Sequence, residues 1–120
     1  MPGFAPSARQ KTMAKFEVFV SEEAEKDLDV IYDFIALADG VGQAARIQDR
    51  LMEEILSLEL LPARGKCPPE MLTLGISDYR ELQCAPWRIF YYISRNRVGV
   101  VAVLDGRRNV SVLLQQRLLQ

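Results

Sequence analysis

Four arginines, Arg80, Arg88, Arg107 and Arg108, are the residues of this chain best placed to do chemistry. They lie in the run YRELQCAPWRIFYYISRNRVGVVAVLDGRR, Tyr79 to Arg108. Arg80 opens one strand-like segment, Arg88 interrupts an aromatic second, and Arg107 and Arg108 follow a third. A guanidinium adds no stability to a strand unless it is paired or solvated, because burying a lone charge is costly. Arginine repeated at strand positions is therefore expected to build a sheet face that meets something anionic. The competing reading is that these side chains are solvated or pair with the chain's own acids. Arg88 would then pair with an acid such as Glu81 and mainly support the fold.

The residue types that are missing narrow the chemistry further. The chain has no histidine, which removes His-based triads, most zinc sites and the usual general base at neutral pH. Its two cysteines, Cys67 and Cys84, are too few for a disulfide framework and lack partners for a metal site. They are expected to be reduced thiols in a cytoplasmic protein. No metal and no cofactor is expected, and any catalysis would rest on Arg, Lys, Tyr, Glu or Asp.

Charge is divided along the chain. The net value of −1 hides 8 basic and 14 acidic residues up to Asp78, and 7 arginines against Glu81 and Asp105 after it. An acidic front half thus precedes a basic, arginine-only back half, which permits the back half to contact nucleic acid or an acidic protein. The 120 residues suit one domain, and 49% hydrophobic with 26% charged content is that of a globular protein. No apolar run approaches the ~20 residues of a membrane span, and no membrane partner is expected. Residues 1–12, MPGFAPSARQKT, hold two prolines and a glycine and read as a loose, disordered leader or an upstream start. The domain is expected over residues 13–120.

The elements that position the arginines follow from periodicity. KFEVFV, residues 15–20, alternates as a strand. Ser21 sits at a helix N-cap position with Glu22 and Glu23 in the first turn, and Ala24, Leu28, Ile31, Ile35 and Ala38 form one apolar stripe. That helix should stop near Gly40. A second stripe of Ala44, Ile47, Leu51, Ile55 and Leu58 follows at once, so the two helices form an antiparallel hairpin. Pro62 and Gly65 end the second helix. Pro62 to Asp78 reads as loop, long enough for part of it to be ordered against the sheet or a partner. Three strands follow at Tyr79–Cys84, Trp87–Ser94 and Val98–Leu104, the last of nearly unbroken β-formers and hence central. Asn109 can cap a short final helix carrying Val110, Leu113, Leu114 and Leu118. The expected fold is α+β, in the order β-α-α-β-β-β-α, with a helical hairpin packed on a small, mainly antiparallel sheet.

This order, with Tyr79-Arg80-Glu81-Leu82, Trp87-Arg88-Ile89-Phe90-Tyr91 and Val103-Leu104-Asp105-Gly106-Arg107-Arg108, resembles the RelE/ParE superfamily of toxins from type II toxin–antitoxin modules. The likeness runs from Lys15 to Leu119. The long hairpin and the closing Arg-Arg with a leucine-rich tail are more similar to the ParE-like branch. That branch implies a toxin that binds and inhibits DNA gyrase. The RelE-like branch implies a metal-independent, ribosome-dependent mRNA endonuclease, and a degenerate toxin that only binds its antitoxin is a third reading. In the resemblance Arg88 matches the central strand arginine, Arg108 the arginine after the last core strand, and Arg80 a basic residue of the nuclease branch. Leu82 stands where such nucleases often carry a second basic residue, the C-terminal run Val112-Leu113-Leu114 lacks a tyrosine, and Asp105 replaces a histidine common in the ParE branch.

Phosphodiester cleavage needs a base for the 2′-hydroxyl, an acid for the leaving oxygen and cations for the phosphorane. Arginine fills the last role but is a poor base. Tyr79, Tyr91 and Tyr92 remain, yet Tyr91 and Tyr92 point to opposite faces and Tyr91 is expected in the core. A non-enzymatic inhibitor is therefore expected, with Arg80, Arg88, Arg107 and Arg108 meeting the target, gyrase or alternatively the ribosome and mRNA. The resemblance further implies a cognate ParD-like antitoxin, a ribbon-helix-helix protein with an acidic tail. Leu72, Leu74, Leu113, Leu114 and Leu118 are the residues expected to dock it.

Overall fold

A computed structural model describes residues 15–118 of the protein; the leader expected at residues 1–12 lies outside them. Strand β1 (Glu17–Val20) leads through Ser21 into α1 (Glu22–Asp39). The Ser21 hydroxyl accepts a hydrogen bond from the Ala24 amide at 3.1 Å, and Glu22, Glu23 and Glu25 occupy the first turn, where the helix dipole favours them. Gly40 alone joins α1 to α2 (Val41–Leu56). Its φ of +93° lies in the region that disfavours any side chain, so glycine is what permits so tight a hairpin.

Two short 3₁₀ turns, Ser57–Glu59 and Pro62–Arg64, follow, and then a five-residue helix α3 (Pro69–Thr73). The segment expected as loop is thus partly helical. Lys66 also forms a two-way backbone bridge with Glu81, at 3.2 and 2.7 Å, so the segment is bound to the sheet edge. Strands β2 (Tyr79–Cys84), β3 (Trp87–Ser94) and β4 (Arg97–Asp105) and helix α4 (Val110–Leu118) complete the order. The sheet runs β1-β4-β3-β2, with β1 parallel to β4 and the other neighbours antiparallel. This is the expected α+β architecture, with β4 central.

Both faces of the sheet are covered. On one side the hairpin places Ala24, Leu28, Ile35, Leu51 and Ile55 against Leu82, Ile89, Tyr91, Val98 and Val100. On the other, Met71 of α3 and Val110 and Leu114 of α4 pack on Phe90, Ala102 and Leu104. Burial on two faces explains why β4 is apolar almost throughout. A register irregularity at Phe90/Tyr91 pairs Phe90 with Ala102 but Tyr91 with Val100, leaving Val101 as the extra residue. Beyond it the alternation changes parity, so Val103 joins Val98 and Val100 on the hairpin side.

Candidate functional site

The arginines singled out in the sequence are not gathered into one open patch; each has its own surroundings. Arg88 emerges from β3 on the face covered by α3 and α4, with its guanidinium 5.1 Å from the centre of the Phe90 ring. Its Nε and Nη2 donate to the two oxygens of Glu81 at 2.7 and 2.8 Å. Its Nη1 and Nη2 donate to the two oxygens of Glu70 at 2.7 and 2.8 Å. The Arg88 side chain is 13% exposed, Glu81 7% and Glu70 27%. Two forked carboxylate pairs take up four of the five N–H donors of one guanidinium. They raise the Arg88 pKa above its ordinary value, chiefly through Glu70 and then Glu81. Arg88 in turn holds the Glu70 carboxyl below its usual 4.5.

Glu70 is not singled out by the sequence pattern, because its segment reads as loop. Pro68-Pro69 ahead of it was the available signal, since proline is favoured at the first position of a helix. Once Pro69 starts α3, Glu70 falls in its first turn and reaches across to β3.

Arg80 serves the same segment differently. Its Nη1 donates to the carbonyls of Ala63 and Gly65, at 3.1 and 2.7 Å. Tyr91 completes the clamp from the opposite strand. Its hydroxyl donates to the Pro62 carbonyl at 2.7 Å and accepts from the Gly65 amide at 3.0 Å. Burial pushes the Tyr91 hydroxyl pKa up. A side chain on Gly65 would collide with the Tyr91 hydroxyl and lie 2.6 Å from the Glu81 carbonyl, so the chain passes here only as glycine. Tyr91 is fully buried and lies on the opposite face from Tyr92, which is 38% exposed.

Arg107 turns back on Asp105, with Nη2 to Oδ2 at 2.7 Å and Nε to Oδ1 at 3.0 Å. The Arg107 side chain and its backbone amide lower the Asp105 pKa to about 2. Arg108 donates its backbone amide to the Asp105 carbonyl at 3.1 Å, and among the described residues its guanidinium enters no ion pair. It lines an open cleft with Val30, Phe34 and Trp87.

The leucines also separate. Leu72 and Leu74 are 57% and 45% exposed, whereas Leu114 is 2% exposed; Leu113 and Leu118 are partly covered by the second core cluster. A larger exposed apolar set lies off the stripe read from the sequence: Val30, Phe34 and Leu37 on α1 and Val41 at the start of α2. Their spacing off the buried stripe was the signal. Cys67 and Cys84 are free thiols. Among the described residues no cluster suits a metal ion, and no helix is long and apolar enough to cross a membrane.

Residues 18–110 match the protein family described as ParE toxin of type II toxin-antitoxin system, parDE. None of the curated proteins matches the chain by sequence. Among solved structures, it is similar to a chain from the chromosomal ParDE toxin–antitoxin system of P. aeruginosa. The TM-score is 0.62 at 18% identity, over 74% of this chain and 94% of that one. It is also similar to a chain of the toxin–antitoxin complex RelBE2 from Mycobacterium tuberculosis. That match has a TM-score of 0.57 at 20% identity, over 78% of this chain and 93% of the other. At these identities the two likenesses establish the shared fold.

Proposed function

The chain belongs to the ParE toxin family of type II toxin–antitoxin systems, and from that premise we propose that it arrests growth by binding and inhibiting DNA gyrase, without cutting nucleic acid. The observation that carries this reading is the commitment of its arginines. Arg80 is spent on two carbonyls, Arg88 on two carboxylates and Arg107 on Asp105. A ribonuclease needs such cations free to stabilise a phosphorane. Its general base works best with a pKa near neutrality. The chain has no histidine, and its buried tyrosine, Tyr91, is locked between Gly65 and Pro62.

In this reading Arg108, with Arg107 beside it, contacts the target, while Arg80 and Arg88 hold the segment and strand that shape the surface. The antitoxin covers exposed apolar residues, Leu72 and Leu74 on one side and the Val30–Phe34–Leu37 face on the other. The naming of the P. aeruginosa relative as part of a ParDE system supports a ParD-like partner. The protein acts in the cytoplasm, where gyrase works. Purified protein added to translating ribosomes should leave messages intact. Site-specific message cleavage would sink the proposal in favour of an endonuclease.

A further inference from the structure

A cleft of about 190 Å³ opens between α3, the start of β2 and α4, with Met71, Leu74, Ile76, Tyr79, Leu114 and Leu118 as its apolar lining. An apolar cavity of ~150 Å³ is large enough for a benzene ring, so this one accommodates a single aromatic or branched aliphatic group. Leu74 of the lining is 45% exposed, so the apolar surface of the cleft continues into solvent. Apolar surface left in this way beside a cavity marks a contact site.

Charge decides what kind of group fits. Among the described residues, Glu70 and Asp78 are the charged members of the lining, and no lysine or arginine joins them. Arg88 is shared between Glu70 and Glu81, so that trio keeps one uncompensated negative charge. Asp78 adds a second and enters no ion pair among the described residues. An acidic segment brought here would set like charges together at a cost, whereas a cation beside the apolar group would be drawn in.

We propose that the cleft seats an apolar side chain of a basic, amphipathic segment of a partner protein, with a lysine or arginine of that segment set against Asp78 and Glu70. Assigning this segment to the antitoxin rests on the toxin reading above; the chemistry of the cleft does not. At this cleft the proposal departs from the acidic tail that the resemblance implies, because the carboxylates at the rim would repel one.

The chemistry is tested by nuclear magnetic resonance titration of the full chain with three probes of one shape: phenethylammonium, neutral 2-phenylethanol and anionic phenylacetate. Methyl signals of Leu74, Ile76 and Leu114 should move. The ammonium should bind about two- to five-fold tighter than the alcohol, the range an exposed charge pair supplies, and phenylacetate should bind weakest. Asp78→Asn, a surface change, should narrow the gap between ammonium and alcohol while leaving the alcohol's affinity unaltered. Phenylacetate binding as tightly as the ammonium, shifts confined to residues outside the cleft, or no binding by any probe would each overturn the proposal. A chain that binds the probes in the predicted order yet binds no ParD-like antitoxin would leave the cleft's chemistry standing and remove only the antitoxin assignment.

Discussion

Arg88 joins Glu81 on the neighbouring strand to Glu70 on α3, and the side chains of Arg88 and Glu81 are 13% and 7% exposed. Removing the guanidinium would leave two carboxylates facing each other with little water, and breaking a buried pair in this way costs about 3 kcal/mol or more. Arg88→Ala should therefore lower the urea midpoint strongly, and Arg88→Lys should recover only part of the loss because an ammonium cannot fork to two carboxylates. Equal midpoints for wild type and Arg88→Ala would contradict the structural role. Acid should act through the same cluster. Glu70 titrates below 4.5 in the folded chain because of Arg88. Its contribution is complete above the unfolded value and is lost as pH falls through the folded one. Stability should hold from neutrality to about pH 5 and decline below it. Glu70→Gln should start lower at neutral pH and lose less on acidification. Tyr91→Phe would leave the buried Gly65 amide and the Pro62 carbonyl without their partner. It should cost about 1–3 kcal/mol by denaturant unfolding, with the fold retained.

At the scale of elements, periodicity makes the hairpin helices and the final helix legible because each turns an apolar face to a core, and β4 is legible as a nearly unbroken run of β-formers because it is buried on both faces. Five-residue α3 was not legible. It is too short to show a stripe, and Pro68-Pro69 reads equally as loop punctuation until the helix they start is known. Its invisibility hid Glu70, and with it the reason Arg88 can sit in a nearly closed site. Tyr91 was expected in the core and is there, but its clamp on Pro62 and Gly65 joins residues nearly thirty positions apart, which no local pattern encodes. The unforeseen apolar face of α1 gives a prediction at this scale. Phe34→Glu with Leu37→Glu changes residues that are 70% and 90% exposed, so folding and thermal midpoint should be nearly unaltered. Antitoxin affinity, measured by calorimetry, should fall by at least about tenfold, the loss expected when large apolar anchors leave an interface. An unchanged affinity would move the docking surface elsewhere.

Across the whole molecule, the divided charge has an internal use that a linear count conceals. Arg88–Glu70, Arg97–Glu17 and Arg117–Asp27 each tie a back-half arginine to a front-half acid. Asp27 also accepts from the Val103 amide at 2.9 Å, and Arg117 donates to the Val101 carbonyl at 2.8 Å, so this pair closes the edge of β4 where β1 has ended. Much of the basic character that pointed to an anionic partner therefore holds the halves of the fold together. Among the described residues, Arg95 on the turn after β3 and Arg108, with the apolar cleft beside it, remain outward and enter no ion pair, and in the proposed reading Arg108 has a protein to hold. A supercoiling assay with purified gyrase tests this most directly. The account predicts that the protein alone blocks conversion of relaxed plasmid to the supercoiled form, that its antitoxin reverses the block, and that Arg108→Ala weakens it while remaining folded. Undiminished supercoiling at a large molar excess of folded protein would contradict it.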